Sequence, residues 1–179
     1  TMIIKSFEFN KVDYKNFQNY LFYGDNIALI NDIIKNKFKP NFKDQTFNYE
    51  ENEVLKNEKN FFDEIMSQSF FEDKKLIIVS RSSDKIKKIA EEIIERQIKD
   101  LTIIYIADKL DKRSKLRNLF EKNKKLIAVP FYPDNQKTLS IIVNNFFNQL
   151  KAPISQELIN IIVERTNNDR QKVYNELSK

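Results

Sequence analysis

The sequence predicts an α/β protein: a three-layer domain around a mainly parallel five-stranded sheet, followed by a small all-α domain. Three observations carry this. Short apolar runs appear that do not alternate with polar residues, amphipathic helical stretches separate them, and the pattern changes abruptly at "VPFYPDN" (129–135). Continuous apolar runs of four to six residues suit strands buried on both faces, as in a parallel sheet.

The four clearest strands are "YLFY" (20–23), "LIIV" (76–79), "TIIYIA" (102–107) and "LIAV" (126–129), with a weaker edge candidate in "QTFNY" (45–49). The intervening helices follow the three- and four-residue spacing of a buried stripe. Residues 25–38 place Ile27, Ile30, Ile33, Ile34 and Phe38 on one face, with Asp25 as the expected N-cap. Residues 53–66 bury Val54, Phe61, Phe62 and Ile65, and residues 83–98 carry Ile86, Ile89, Ala90, Ile93, Ile94 and Ile98 on one face. The alternation of strand and helix argues for crossover connections and layered packing.

Beyond the prolines at 130 and 133 no strand-like run remains, so the boundary falls near residue 135, giving domains 1–134 and 135–179. Three helices fit the second part. The spacing predicts buried Leu139, Ile142, Val143, Phe146, Phe147 and Leu150 in 136–150, Leu158, Ile161 and Ile162 in 155–165, and Val173, Tyr174 and Leu177 in 168–178.

Composition removes several chemistries. The 179 residues include no cysteine and no histidine, which excludes thiol nucleophiles, disulfides, the usual zinc ligands and histidine bases. No apolar stretch approaches the ~20 residues of a membrane span, and no signal peptide layout opens the chain, so a cytoplasmic protein is expected. The formal charge of +5 permits nucleic-acid contact. Its local expression is "KLDKRSKLRNLFEKNKK" (109–125), with eight basic and two acidic side chains. Lys112, Arg113, Lys115 and Arg117 are candidate phosphate contacts there, against the alternative of a solvated helix whose buried side is Leu110, Leu116, Leu119 and Phe120.

A nucleotide loop can be tested by counting. Gly24 is the only glycine, and in the pattern G-x-x-x-x-G-K-[ST] the later positions would be Leu29, Ile30 and Asn31. All fail, so no nucleotide cofactor is expected. A carboxylate and magnesium enzyme would need several acids after the strands, where only Asp108 is suitably placed.

Two adjacent aromatics stand out in "SQSFFEDKKLIIVS" (67–80). Phe70 and Phe71 sit among polar residues; either they close a helix end onto the sheet or they serve as anchors in a partner's pocket.

Tyr23-Gly24-Asp25 after a strand, the "FF" pair ahead of "KKLIIV", "ADKLDKRSKLRNLF" after a later strand, and "NNDRQKVYNELSK" at the end appear in the order of a known family. Together they resemble the delta subunit of bacterial DNA polymerase III, a clamp-loader subunit. The resemblance implies a domain of the AAA+ (P-loop NTPase) type without its nucleotide loop, a three-helix second domain, and a helical collar domain that this chain lacks, so that the chain is a truncated or short form. It implies no catalysis by the chain itself, within a DNA-directed DNA polymerase (nucleotidyltransferase) holoenzyme that replicates DNA. The implied partners are the sliding clamp, other clamp-loader subunits through the collar, and the DNA backbone. The clamp-binding element falls on Met66, Gln68, Ser69, Phe70 and Phe71, with Phe70 where the family has leucine and Met66 where a glutamine often opens the motif.

Overall fold

The computed structural model describes Ile3, residues 16–67 and residues 74–179. Its chain contacts separate two units, one of residues 1–25 and 30–131, the other of residues 26–29 and 132–179.

In the first unit, β1 (Asn19–Gly24), β2 (Thr46–Glu50), β3 (Lys75–Ser80), β4 (Leu101–Ala107) and β5 (Ile127–Phe131) form one sheet in the order β2-β3-β4-β1-β5. Every strand pairing is parallel. The fold class is the expected one, with β2 at an edge. The central strands are buried almost throughout because each face has its own cover. Leu21, Tyr23, Ile77, Val79, Ile103 and Tyr105 pack against α2 (Glu51–Lys56), α3 (Glu58–Met66), α4 (Lys87–Arg96) and α5 (Lys115–Lys122). Neighbouring positions point the other way. There, Phe38 meets the rings of Tyr20 and Phe22 at 5.0 and 5.8 Å, and Phe22 meets Phe131 at 5.1 Å.

The helix expected over 25–38 consists of α1 (Ile27–Ile33) and a π-helical turn, Ile34–Phe38, that ends on the buried Phe38 ring. Asn26 rather than Asp25 stands at its start: the Asn26 Oδ1 accepts the Leu29 N–H at 3.2 Å. Asp25 instead pairs with the Lys109 ammonium at 2.9 Å. The single helix expected over 53–66 is two. Asn57 interrupts it and restarts α3 by accepting the Asn60 N–H on its side-chain oxygen at 3.1 Å, which is N-cap chemistry. The helix expected over 83–98 opens with a 3-10 turn, Asp84–Ile86, and stops at Gln97, whose φ of 46° is left-handed.

In the second unit, α6 (Gln136–Gln149), α7 (Gln156–Arg165) and α8 (Arg170–Leu177) surround Leu139, Val143, Ile159, Val163 and Val173. The face of α7 is not the one expected. Leu158 and Ile161 are exposed, Ile162 is only partly buried, and Ile159 and Val163 fill the core. Leu150, expected inside, is 61% exposed. The run "LINIIV" has apolar residues on nearly every side, so periodicity alone left the phase of α7 undetermined.

A buried ion pair joins the elements of this unit. Asp134 receives the Arg170 guanidinium in a two-pronged contact, 2.7 Å to each oxygen, together with the Thr138 hydroxyl at 2.8 Å and the Asn26 amide at 2.7 Å. Burial alone would raise the Asp134 pKa, but the Arg170 guanidinium and the neutral donors hold it below the usual carboxylate range. No helix among the described residues is long and apolar enough to cross a membrane.

Candidate functional site

In parallel α/β sheets, ligands ordinarily bind outside the carboxyl ends of the strands. Here the loops at those ends are tied to one another in spatial order. After β2, the Glu51 carboxylate accepts the Ser83 N–H at 2.7 Å and the Ser83 hydroxyl at 2.8 Å, joining the loop after β3. Asp84, in that second loop, accepts the Ser114 hydroxyl at 2.7 Å and the Leu116 N–H at 3.0 Å from the segment that follows β4. Burial would raise the Asp84 pKa, yet these donors lower it overall. Lys109, also after β4, reaches back to Asp25 after β1.

Gly24 completes the row. It adopts φ +130°, and a Cβ there would stand 2.1 Å from the Phe131 carbonyl oxygen. Glycine is thus required for the close approach of β1 and β5, a strand-packing role independent of phosphate chemistry. Asp108 is exposed, and among the described residues no group of three acids could hold a metal ion.

The basic segment divides into two kinds of cation. Arg117 is turned inward: its Nε donates to Glu121 Oε1 at 2.5 Å, its Nη1 donates to the Leu110 carbonyl at 2.8 Å, and its guanidinium lies 5.1 Å from the centre of the Tyr23 ring. That engagement runs against its expected place among outward phosphate contacts. Lys112, Arg113 and Lys115 are exposed. Ser114 caps α5 by accepting the Arg117 N–H at 3.1 Å, and Asp111 accepts the Arg113 N–H at 2.7 Å. Leu116 and Phe120 form the buried side, as expected, with Leu110 and Leu119 partly buried.

The aromatic pair presents a different environment. Gln68, Ser69, Phe70 and Phe71 lie outside the described residues; what the structure gives is the frame on either side. Met66, at the end of α3, is 47% exposed, and its sulfur receives an Arg96 N–H at 2.8 Å. The same guanidinium sits 4.6 Å from the Phe62 ring centre. Ser67 donates its N–H to the Asp63 carbonyl at 3.0 Å and its hydroxyl to the Glu64 carbonyl at 2.8 Å. On the far side, Lys75 begins β3, and its ammonium returns to this helix end. It donates to the Glu64 carbonyl at 3.3 Å, the Ser67 hydroxyl at 3.0 Å and the Ser67 carbonyl. Neither Lys75 nor Arg96 stood out in the sequence, since nothing local signals that a lysine nine residues past a helix, or an arginine in another helix, will meet its last turn.

The class of protein this fold defines is a parallel five-stranded α/β unit with helices on both faces, together with a unit of three helices. Residues 20–130, more than half of the chain, match the family "DNA polymerase III, delta subunit", and the chain belongs to that family. No curated protein matches it by sequence. Among solved structures it is similar to the Bacillus subtilis DNA clamp loader delta protein (YqeN), with 18% identity and a TM-score of 0.62. That match covers 97% of this chain and 56% of the other, so the chain spans little more than half of that protein's length; at such identity the likeness shows the fold. Lower scores are found for domain III of the Thermotoga maritima replication initiation protein DnaA (10% identity, TM-score 0.49, 97% of this chain and 79% of the other). A replication initiator DnaA bound to AMPPCP and single-stranded DNA also matches (14% identity, TM-score 0.48, 90% and 55% covered).

Proposed function

We propose that this chain is the part of a clamp-loader delta subunit that grips the sliding clamp during DNA replication. Phe70 and Phe71 enter an apolar pocket of the clamp, Met66, Gln68 and Ser69 flank them, and the bound chain holds the ring open at one subunit interface. The observation that carries this reading is the family match over residues 20–130, which includes the aromatic pair between α3 and β3.

The mechanism is a population shift. A ring that opens transiently is captured open by a binder with higher affinity for that state, and the shift is limited by the difference in affinity between states. Each aromatic buries about 150–250 Å² in such a pocket, and a few anchors of this kind dominate most interfaces. Residues 1–134 act as the clamp-binding domain and residues 135–179 as a three-helix domain. Other loader subunits, meeting the whole protein through its collar, carry out ATP hydrolysis. That this chain itself binds no nucleotide is part of the reading, and its ground is the mismatch to G-x-x-x-x-G-K-[ST] after Gly24.

Retention of the chain on immobilised cognate clamp tests the reading. Phe70→Ala with Phe71→Ala is expected to lower affinity at least ~100-fold, the loss of two central anchors. Undiminished retention of the double variant overturns it. A second reading, in which the exposed Lys112, Arg113 and Lys115 bind nucleic acid without any clamp, predicts DNA binding that weakens steeply with salt and no clamp affinity.

A further inference from the structure

The sheet face that carries Tyr20 and Phe22 has a cavity at its amino end. Tyr20 stands second in β1, Thr102 stands second in β4, and Lys74 directly precedes β3. Because these strands are parallel neighbours, their three starts lie side by side at one end of the sheet. The cavity encloses about 290 Å³ among Phe17, Tyr20, Phe38, Asn41, Phe42, Lys74 and Thr102. All of these belong to the first unit. Parallel α/β folds ordinarily bind ligands at the other end of the sheet, outside the carboxyl ends of the strands.

The walls and the polar groups of the cavity differ in kind. Tyr20, Phe38 and Phe42 are buried and Phe17 is partly exposed, so the rings form an apolar slot. Tyr20 and Phe38 already meet edge to face at 5.0 Å, and the Tyr20 hydroxyl is taken up by the Phe17 carbonyl at 3.2 Å. The remaining polar groups can all donate. Lys74 is exposed, and no carboxylate among the described residues pairs with its ammonium. The Asn41 amide spends one N–H on the Lys37 carbonyl at 3.1 Å and keeps a second. Thr102 adds a hydroxyl. The flanking charge is one-sided: from Ile33 to Lys43 the chain carries Lys35, Lys37, Lys39 and Lys43 and no acid. Such a surface raises the local concentration of anions.

We propose that this cavity binds an apolar carboxylate. An aromatic body enters between the rings, where edge-to-face contacts favour it, and its carboxylate accepts hydrogen bonds from Lys74, Asn41 and Thr102. The bond from the ammonium is charge-assisted and about twice as strong as a neutral one, so Lys74 is the main determinant. The occupant is small, since ligand pockets for drug-sized molecules begin at about 300 Å³. A nucleobase with its phosphate fits this site less well, because stacking needs an open ring face and Tyr20, Phe38 and Phe42 are sunk in the wall. An apolar carboxylate has two sources, the carboxyl-terminal residue of a polypeptide and a free small acid. The site is independent of the clamp reading, in which none of its residues takes part.

Titration of the isotope-labelled chain, followed by NMR, tests the site with phenylpropionate, the peptide acetyl-Ala-Ala-Phe with a free carboxylate, the same peptide amidated, and thymidine monophosphate. Shifts at Lys74, Thr102 and the Asn41 side-chain amide are expected with both acids, at a dissociation constant of about 1 mM or tighter, the range of ligands this small. Amidation of the peptide and Lys74→Met are each expected to weaken binding about tenfold, the loss of a charge-assisted bond. Thr102→Val, which keeps the shape and removes the hydroxyl, is expected to weaken it about threefold. Tighter binding of the peptide acid than of phenylpropionate assigns the site to chain ends; equal or weaker binding assigns it to free acids. The proposal is overturned by equal affinity for the acid and amide peptides, by wild-type affinity in Lys74→Met, or by the absence of shifts with both acids. Thymidine monophosphate binding more tightly than either acid at the same residues also overturns it. Should Lys74→Met fail to fold, the comparison of acid with amide on the parent chain decides.

Discussion

The two ends of the sheet in the first unit use charge in opposite ways. At the carboxyl ends, Glu51, Asp84, Asp25 and Lys109 each meet a partner from the neighbouring loop, and Gly24 lets two strands close on one another. At the amino end of β3, Lys75 and the more distant Arg96 converge on the end of one helix, ahead of a segment whose aromatic residues have polar neighbours. Carboxylates predominate among the ties at one end, and cations at the other. The difference teaches that a charged side chain's role is set by what it faces: the acids meet donors of a neighbouring loop, whereas Lys75 meets the carbonyls that end a helix.

The closed end is the easier half to break. Gly24→Ala would combine a disfavoured φ with a Cβ overlapping the Phe131 carbonyl, a clash with backbone that no side-chain rotation relieves. We expect it to lower the unfolding free energy by at least about 4 kcal/mol, among the largest single-residue effects, as read by urea denaturation. A cost below about 1 kcal/mol would mean that β1 and β5 are not held so closely.

Arg117→Ala comes next. It removes two hydrogen bonds and the contact with Tyr23, and leaves Glu121 without its cation. The expected loss is about 2 kcal/mol. Alanine at Lys112 or Arg113, both exposed, should cost no more than about 0.5 kcal/mol. Equal losses at all three positions would erase the distinction between inward and outward cations in this segment.

Asp84 carries a smaller effect than Arg117, and one tied to pH. Because the fold lowers the pKa of Asp84, its ionised form contributes stability above the usual carboxylate value, and that contribution is lost as pH falls through the lowered value. Asp84→Asn is expected to cost about 1 kcal/mol at neutral pH and to flatten the decline in stability below about pH 4. An acid limb identical to that of the parent chain would show that Asp84 does not tie the two loops.

Much of the fold was legible because burial on both faces of a strand leaves a plain trace, an unbroken apolar run such as Leu76 to Val79. The helices of the first unit were legible in position but not in their joints. Asn57 looked like one more polar residue, and its capping of α3 became visible only with the Asn60 amide in place. In α7, Leu158, Ile159, Ile161, Ile162 and Val163 offered competing stripes, and packing against α6 and α8 selected Ile159 and Val163. Arg117 was indistinguishable from Lys112 in sequence, since both sit in one basic run. The aromatic pair at 70 and 71 was legible for a different reason: large rings with polar neighbours on both sides violate the burial pattern of the surrounding chain.

The sequence by itself determined the layered α/β class, the helical nature of the final quarter, the mismatch to G-x-x-x-x-G-K-[ST] after Gly24 and the position of two adjacent aromatics, because each follows from residue type and spacing along the chain. Only the tertiary structure decided which cations are engaged, which face of α7 is buried, why Gly24 must be glycine and what holds the end of α3. Those are matters of distance between residues far apart in the chain, and local periodicity carries no information about such distances.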